Sequence, residues 1–344
     1  MLVCCAVTLR PKGATVWSRR WIGVAGAGAV AAATATAVVL ATGAVAAPAP
    51  GVPGPVSGSA TVIPSQTTRQ AAAPRAAAPR APVGPVVALG DSYTAGDILP
   101  LSLTSQPVGC LRSPKSYPVQ VAKALGAELV YAACGGAGVK EMTQAQPTYL
   151  GTNPPQLNAL APDDRLVMLT LGGDDMGFLN VLHECMKLSI TNPFGSPCER
   201  HYTSGGTDQL AALVAAEAPS LAAVLAEIRA RAPSARVLMV GYPDMFPQQG
   251  GCWPAVPITA GDVAYLRGIE ARINGMLAQA AAAAGDTFVD TYTPTTGHDF
   301  CQAPWARDVE GLLPSSLTAP FHPNARGQAA MAAAILAALG TTAA

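Results

Sequence analysis

Val86-Val87-Ala88-Leu89-Gly90 runs directly into Asp91-Ser92-Tyr93-Thr94-Ala95-Gly96, and the change of character at Gly90 sets the fold. The first residues are apolar and β-branched, the composition of a strand buried in a parallel sheet, and Gly90 breaks that run into a polar turn. Ser92 therefore stands just past the C-terminal end of a strand. In an open parallel sheet that edge is where ligands bind, so a serine there can meet a substrate. Gly-Asp-Ser alone is also ordinary turn chemistry, and the weight falls on what accompanies it.

Working outward, a loop to Ser116 precedes a short helix over 117–125 stopped by Gly126, and a second strand is expected over 127–133. It ends in Cys134-Gly135-Gly136-Ala137-Gly138, a glycine-rich turn that lets backbone N–H groups approach a ligand. A continuous apolar strand over 165–171 ends in Gly172-Gly173-Asp174-Asp175. Paired acids at a strand end can form a carboxylate dyad or a divalent-metal site, but no histidine or further acid lies nearby in sequence, and no metal is expected. The stretch 183–204 reads as loop, 207–232 as helical with a break at Pro219-Ser220, and 236–241 as a fourth strand. A long helix over 258–284 is closed by Gly285, with Val263, Leu266, Ile269, Ile273 and Leu277 on one stripe. A fifth strand over 287–291 and a loop lead to Pro320-Phe321-His322-Pro323-Asn324, where the last helix begins. Strands alternating with helices imply an α/β fold, a doubly wound, mainly parallel five-stranded sheet covered on both faces.

The chain has 344 residues, with 21 Lys and Arg against 21 Asp and Glu, so no basic surface argues for nucleic acid. Its beginning has a different composition. Arg10, Lys12, Arg19 and Arg20 precede a weakly apolar run over 21–47 that ends in Ala44-Val45-Ala46-Ala47, the pattern of a secretory signal with a small-residue cleavage site. Ser18-Arg19-Arg20-Trp21-Ile22 partly resembles a twin-arginine export signal. The rival reading is an uncleaved anchor, since the run is long enough to span a bilayer; Ala, Gly and Thr make it a poor hydrocarbon segment, and no stable span is expected after cleavage. Cys4 and Cys5 precede the run and would leave with it. Residues 48–85 repeat Ala-Ala-Ala-Pro-Arg and read as a semi-stiff spacer kept solvated by Arg69, Arg75 and Arg80. One domain, 86–344, remains, and a secreted monomer is expected. Its six cysteines, Cys110, Cys134, Cys185, Cys198, Cys252 and Cys301, are even in number with no Cys-x-x-Cys pair, which favours disulfides over zinc without choosing the pairing.

Ser92, the glycines of 134–138, the acidic turn of 172–175 and His322 all fall at strand ends or in the last loop, where a doubly wound sheet can bring them to one edge. A serine, a base and oxyanion donors are what nucleophilic catalysis needs. No Gly-x-Ser-x-Gly surrounds Ser92, unlike the α/β-hydrolase elbow. The chain instead resembles the SGNH, or GDSL-type, hydrolases, in particular secreted actinobacterial esterases and lipases. Gly90-Asp91-Ser92-Tyr93, Ala133-Cys134-Gly135-Gly136-Ala137, Leu171-Gly172-Gly173-Asp174-Asp175 and Phe321-His322-Pro323-Asn324 look like its blocks, in order.

The resemblance implies a flavodoxin-like three-layer sandwich and cofactor-free hydrolysis of ester or lipid. It makes Ser92 the nucleophile and His322 the base, puts the N–H groups of Ser92 and Gly136 in the oxyanion hole, and pairs the cysteines in sequence order. Two positions depart from the family. The acid often found three residues before the histidine is Ala319 here, so a backbone carbonyl, Asp299, Asp308 or Glu310 would orient the imidazole. Asp174 stands where an Asn would donate to the oxyanion, and an ionised carboxylate can only accept. That substitution raises a second reading, a catalytically impaired relative that binds envelope lipid or glycan. Among the other histidines, His298 is a rival base, His183 and His201 read as surface residues, and Tyr93 as packing.

Overall fold

The computed structural model describes residues 84–341. The expected leader, 1–47, and all of the spacer except Gly84 and Pro85 lie outside the described residues. The strands are β1 (Val86–Gly90), β2 (Leu129–Tyr131), β3 (Gln146–Thr148), β4 (Gly151–Asn153), β5 (Leu166–Thr170), β6 (Arg236–Val240) and β7 (Thr287–Val289). The helices are α1 (Ser92–Ala95), α2 (Tyr117–Leu125), α3 (Lys140–Thr143), α4 (Phe178–Thr191), α5 (Pro197–Thr203), α6 (Gln209–Arg231), α7 (Ala260–Ala284), α8 (Tyr292–Thr295) and α9 (Ala325–Ala338).

Five strands form one sheet in the order β2-β1-β5-β6-β7, every neighbouring pair parallel. Because successive side chains on a strand point to opposite faces, each strand feeds two cores. Val87, Leu89, Val167, Leu169, Val237 and Met239 pack on one face under α4, α6 and α7. Val86, Leu166, Met168, Leu238 and Val240 pack on the other under Tyr117 and Val121 of α2 and Met331, Ile335 and Leu336 of α9. This is the expected three-layer sandwich, with the strand order of flavodoxin-like sheets. In such sheets the crevice at the switch in strand order, here between the ends of β1 and β5, is the binding edge.

Several local expectations are corrected. The stretch 183–204 is not loop: α4 runs through Thr191, with Val181, Leu182, Cys185, Met186 and Ser189 as its buried stripe, and α5 follows after a short connection. Pro219 does not break α6, which is continuous. Pro219 is exposed, and the buried positions Leu210, Val214, Leu221, Leu225 and Ile228 continue past it, so packing holds the helix together across one missing hydrogen bond. The edge strands are shorter than expected; on β2 the N–H groups of Ala132 and Ala133 both turn to the Ala88 carbonyl and the ladder stops. A small hairpin, β3 with β4, occupies a stretch to which no element was assigned.

Candidate active site

The position of Ser92 follows from the end of β1. Gly90 has φ +117°, and a Cβ there would lie 2.2 Å from the Thr170 carbonyl oxygen, so only glycine lets the chain turn against β5. Gln156 clamps this peptide: Gly90 N–H donates to its Oε1 (2.7 Å) and its Nε2 donates to the Gly90 carbonyl (2.9 Å). Asp91 then caps α1, accepting from Tyr93 N–H at 2.9 Å, while its other oxygen accepts from the Tyr242 hydroxyl at 2.6 Å. Burial, then the charge of Asp174, pushes the Asp91 carboxyl well above the usual range. Ser92 opens the helical turn, buried but facing the cleft.

His322 lies within hydrogen-bond reach of it. Its Nε2 is 2.8 Å from Ser92 Oγ and its Nδ1 is 2.8 Å from the Pro320 carbonyl oxygen. A carbonyl can only accept, so Nδ1 carries the proton, and the neutral ring leaves Nε2 free to accept from the serine hydroxyl. Burial holds this imidazole below the ordinary histidine value, against the raising effect of the Pro320 carbonyl. The loop that carries it is pinned on several sides. Glu310 N–H donates to the His322 carbonyl, Phe321 N–H donates to the Glu310 carbonyl, and Asn324 caps α9 by accepting from Arg326 and Gly327 N–H. The Tyr93 hydroxyl donates to the Phe321 carbonyl at 2.7 Å, and its ring stands 5.2 Å from the imidazole. Tyr93 is therefore more than packing, because it ties the serine turn to the histidine loop.

The imidazole is oriented by Pro320, not by any of the three acids considered. Asp299 accepts from Cys301 N–H and Gln302, Asp308 pairs with Arg326, and Glu310 pairs with Arg307 and accepts from Ser315 and Ser316. His298 Nδ1 contacts the Ala306 carbonyl and does not reach the serine; His183 and His201 are exposed.

The glycine-rich turn after β2 is joined to the end of β1, Cys134 N–H donating to the Gly90 carbonyl. Gly136 adopts φ +73°, with Gly135 N–H bonded to the Cys110 carbonyl and Ala137 N–H to the Cys134 carbonyl. Among the described residues no acceptor takes the N–H of Ser92 or of Gly136. A bridge between Cys110 and Cys134 fixes this turn to the loop before α2; Cys185 is bridged to Cys198, and Cys252 to Cys301. Asp175 ties the third block to the second, its two oxygens accepting from Val139 N–H at 2.9 and 3.1 Å. A Cβ on Gly138 would come within 2.4 Å of that carboxylate, so a side chain there would push Asp175 off the Val139 N–H.

Asp174 lines the same cleft as Ser92. Burial, followed by the charges of Asp175 and Glu141, raises its carboxyl to about 6. The neighbouring Gly173 N–H is already committed to the Tyr242 hydroxyl at 2.8 Å, so it is no oxyanion donor. The cleft is lined by Phe178, Leu179, Met245, Ile273 and Glu270. Met245 N–H donates to one Glu270 oxygen while the other has no partner among the described residues, and burial pushes this carboxyl well above its usual range. Sequence reasoning singled out none of Gln156, Tyr242, Pro320 or Glu270 for the site. Tyr242 lies just past β6 and Glu270 on α7, and both approach the serine only once the sheet is assembled.

The match to the GDSL-like Lipase/Acylhydrolase family model spans residues 88–330, nearly all of the folded part. Lipase 2 of Streptomyces coelicolor is 40% identical over 259 residues, 74% of this chain and 85% of that protein. Two solved structures share the fold: phospholipase A1 from Streptomyces albidoflavus NA297, at 28% identity, a TM-score of 0.62 and coverage of 74% of this chain and 98% of that one, and the extracellular lipase of Streptomyces rimosus, at 27%, 0.60, 75% and 100%. With the four sequence blocks gathered at one sheet edge, the chain belongs to the GDSL-like lipase/acylhydrolase family, the SGNH hydrolases, and is an ester hydrolase.

Proposed function

We propose that the protein is an exported serine esterase or lipase in which Ser92 and His322 act as a dyad oriented by the Pro320 carbonyl. The observation that carries this reading is the 2.8 Å contact between Ser92 Oγ and an imidazole whose other nitrogen is held as a donor. Ser92 Oγ attacks the ester carbonyl carbon as its proton passes to His322 Nε2. The oxyanion receives the N–H groups of Ser92 and Gly136 and, when Asp174 is protonated, its hydroxyl. The C–O bond to the alcohol breaks, the alcohol leaves with the proton from Nε2, and water deprotonated by the same nitrogen releases the acyl group from Ser92. The Pro320 carbonyl keeps Nδ1–H in place while the ring is transiently positive.

Replacing Ser92 or His322 with Ala is expected to abolish nearly all turnover of dissolved p-nitrophenyl esters, with the double variant little worse than either single one, because both serve one step. Substantial activity in Ser92→Ala would require another nucleophile. Asp174 in the place of an oxyanion-donating Asn is the observation that favours the second reading, a binding relative with impaired chemistry, and a wild type inert on short and long p-nitrophenyl esters would establish it. Export by the 1–47 leader is supported by the likeness to the extracellular lipase of Streptomyces rimosus; N-terminal sequencing of exported protein should begin just after Ala47, and an intact Met1 would sink it.

A further inference from the structure

Two loops beside the dyad carry no charged residue. Residues 98–111 read Ile-Leu-Pro-Leu-Ser-Leu-Thr-Ser-Gln-Pro-Val-Gly-Cys-Leu, and 311–319 read Gly-Leu-Leu-Pro-Ser-Ser-Leu-Thr-Ala. They are joined edge to edge: Ile98 bridges Thr318, Leu99 N–H donates to the Leu317 carbonyl, and Ala319 N–H donates to the Asp97 carbonyl. Leucines on this pair point to solvent, with Leu99 47%, Leu103 72%, Leu313 80% and Leu317 69% exposed. Between the loops runs an open groove lined by Leu99, Leu101, Leu111, Pro314 and Leu317, with Asp97 and Ala319 at one part of its wall.

That part adjoins the site. The Asp97 carboxyl packs on Gly135, next to Gly136, and the Ala319 carbonyl accepts from His322 N–H. Several exposed leucines on adjoining uncharged loops cost solvation that a soluble surface normally avoids, and such a patch marks an interaction site.

We propose that loops 98–111 and 311–319 form an apolar lip that seats the protein on the surface of aggregated, uncharged ester lipid, with the groove between them leading a lipid toward Ser92. The inference rests on the hydrolase reading for what happens after docking. A lipid leaves an aggregate at the cost of exposing its hydrocarbon to water, so an enzyme that acts on it gains by pressing its site entrance to the surface. The lip borders that entrance, and its lack of charge suits a hydrocarbon-rich, neutral surface over an anionic one, which would call for Lys and Arg.

The test uses the full chain. Ser92→Ala protein should float with neutral phosphatidylcholine vesicles, and adding Leu103→Ser, Leu313→Ser and Leu317→Ser should lower that partitioning by about tenfold or more. These side chains are exposed, so the folded state should survive the changes. In the active protein the same three changes should cut turnover of an emulsified long-chain ester in proportion, while turnover of dissolved p-nitrophenyl acetate stays within about twofold. The proposal is overturned if Ser92→Ala does not float, if the triple variant floats as well as its parent, or if binding needs phosphatidylglycerol and vanishes with salt. It is also overturned if acetate turnover falls together with emulsion turnover, which would place the leucines in the catalytic machinery. Flotation that depends on the leucines in a protein inert on every ester would leave the lip standing and remove the hydrolase reading.

Discussion

Asp174 concentrates the residue-scale question, because a carboxyl raised to about 6 changes character within the working range of an esterase. Below that value it is a neutral acid that can donate to an oxyanion; above it, a carboxylate that repels one. His322 acts in the opposite direction, since burial lowers its value and leaves it an unprotonated base even in mildly acidic solution. Wild-type kcat/KM should therefore peak near pH 6 and fall by about 10²-fold by pH 8. Asp174→Asn should hold its rate across that range and exceed the wild type at pH 8. An unchanged rate and pH profile in Asp174→Asn would mean that this side chain does not face the oxyanion. Sequence alone exposed the anomaly, because position 174 sits in a block whose neighbours are unmistakable. It could not decide the protonation state, which depends first on burial in the assembled cleft and then on the charges of the adjacent Asp175 and of Glu141, brought in from α3.

At the scale of elements, the strands and their ends were legible because a doubly wound sheet needs continuous apolar runs, and β1, β5 and β6 have them. The helix after Ser116 and the long helix ended by Gly285 were legible from stop signals; both glycines adopt the left-handed conformation. What was not legible is where packing overrules a local signal. Two prolines and two cysteines made 183–204 look like loop, yet its apolar residues recur at helical spacing on α4. In α6 the same conflict leaves a measurable trace. Pro219 removes a donor in the helix interior, and its position is exposed, so Pro219→Ala should restore a hydrogen bond without disturbing the core. Against the helix penalty of about 3 kcal/mol stands the loss of a rigid unfolded chain, about 0.4–1 kcal/mol, so a net gain of about 2 kcal/mol or slightly more is expected in urea unfolding. An unchanged or lower stability would show that α6 is built around the proline.

For the whole molecule, the consequence of assembling this site is a set of carboxyls that the fold holds above their ordinary values. Asp97 is raised to about 8, Glu217 to about 7 and Asp174 to about 6, burial being the first cause in each case, and burial also pushes Asp91 and Glu270 well above the usual carboxylate range. A carboxyl whose folded value exceeds its unfolded one binds more protons in the folded state, so stability falls as pH rises between the two values. The window for Asp97, Glu217 and Asp174 opens near pH 4, the unfolded carboxylate range, and closes near 8. Glu310, lowered by its Ser315, Ser316, Asn324 and Arg307 partners despite burial, works in the other sense and loses its contribution only below the ordinary carboxylate range. The melting temperature should therefore be highest near pH 5 and fall toward pH 8 by about 5–10 °C, on the order of 2–3 kcal/mol. Asp97 is the residue on which to test the cause: among the described residues its Oδ1 is buried without a partner, and no ion pair compensates it. Asp97→Asn cannot ionise, so its melting temperature should change less between pH 5 and pH 8 than that of the wild type. A wild-type melting temperature that rises over this interval, or an Asp97→Asn slope equal to the wild type's, would mean that these carboxyls are solvated in the folded protein and that the acidic side of the cleft is open to water.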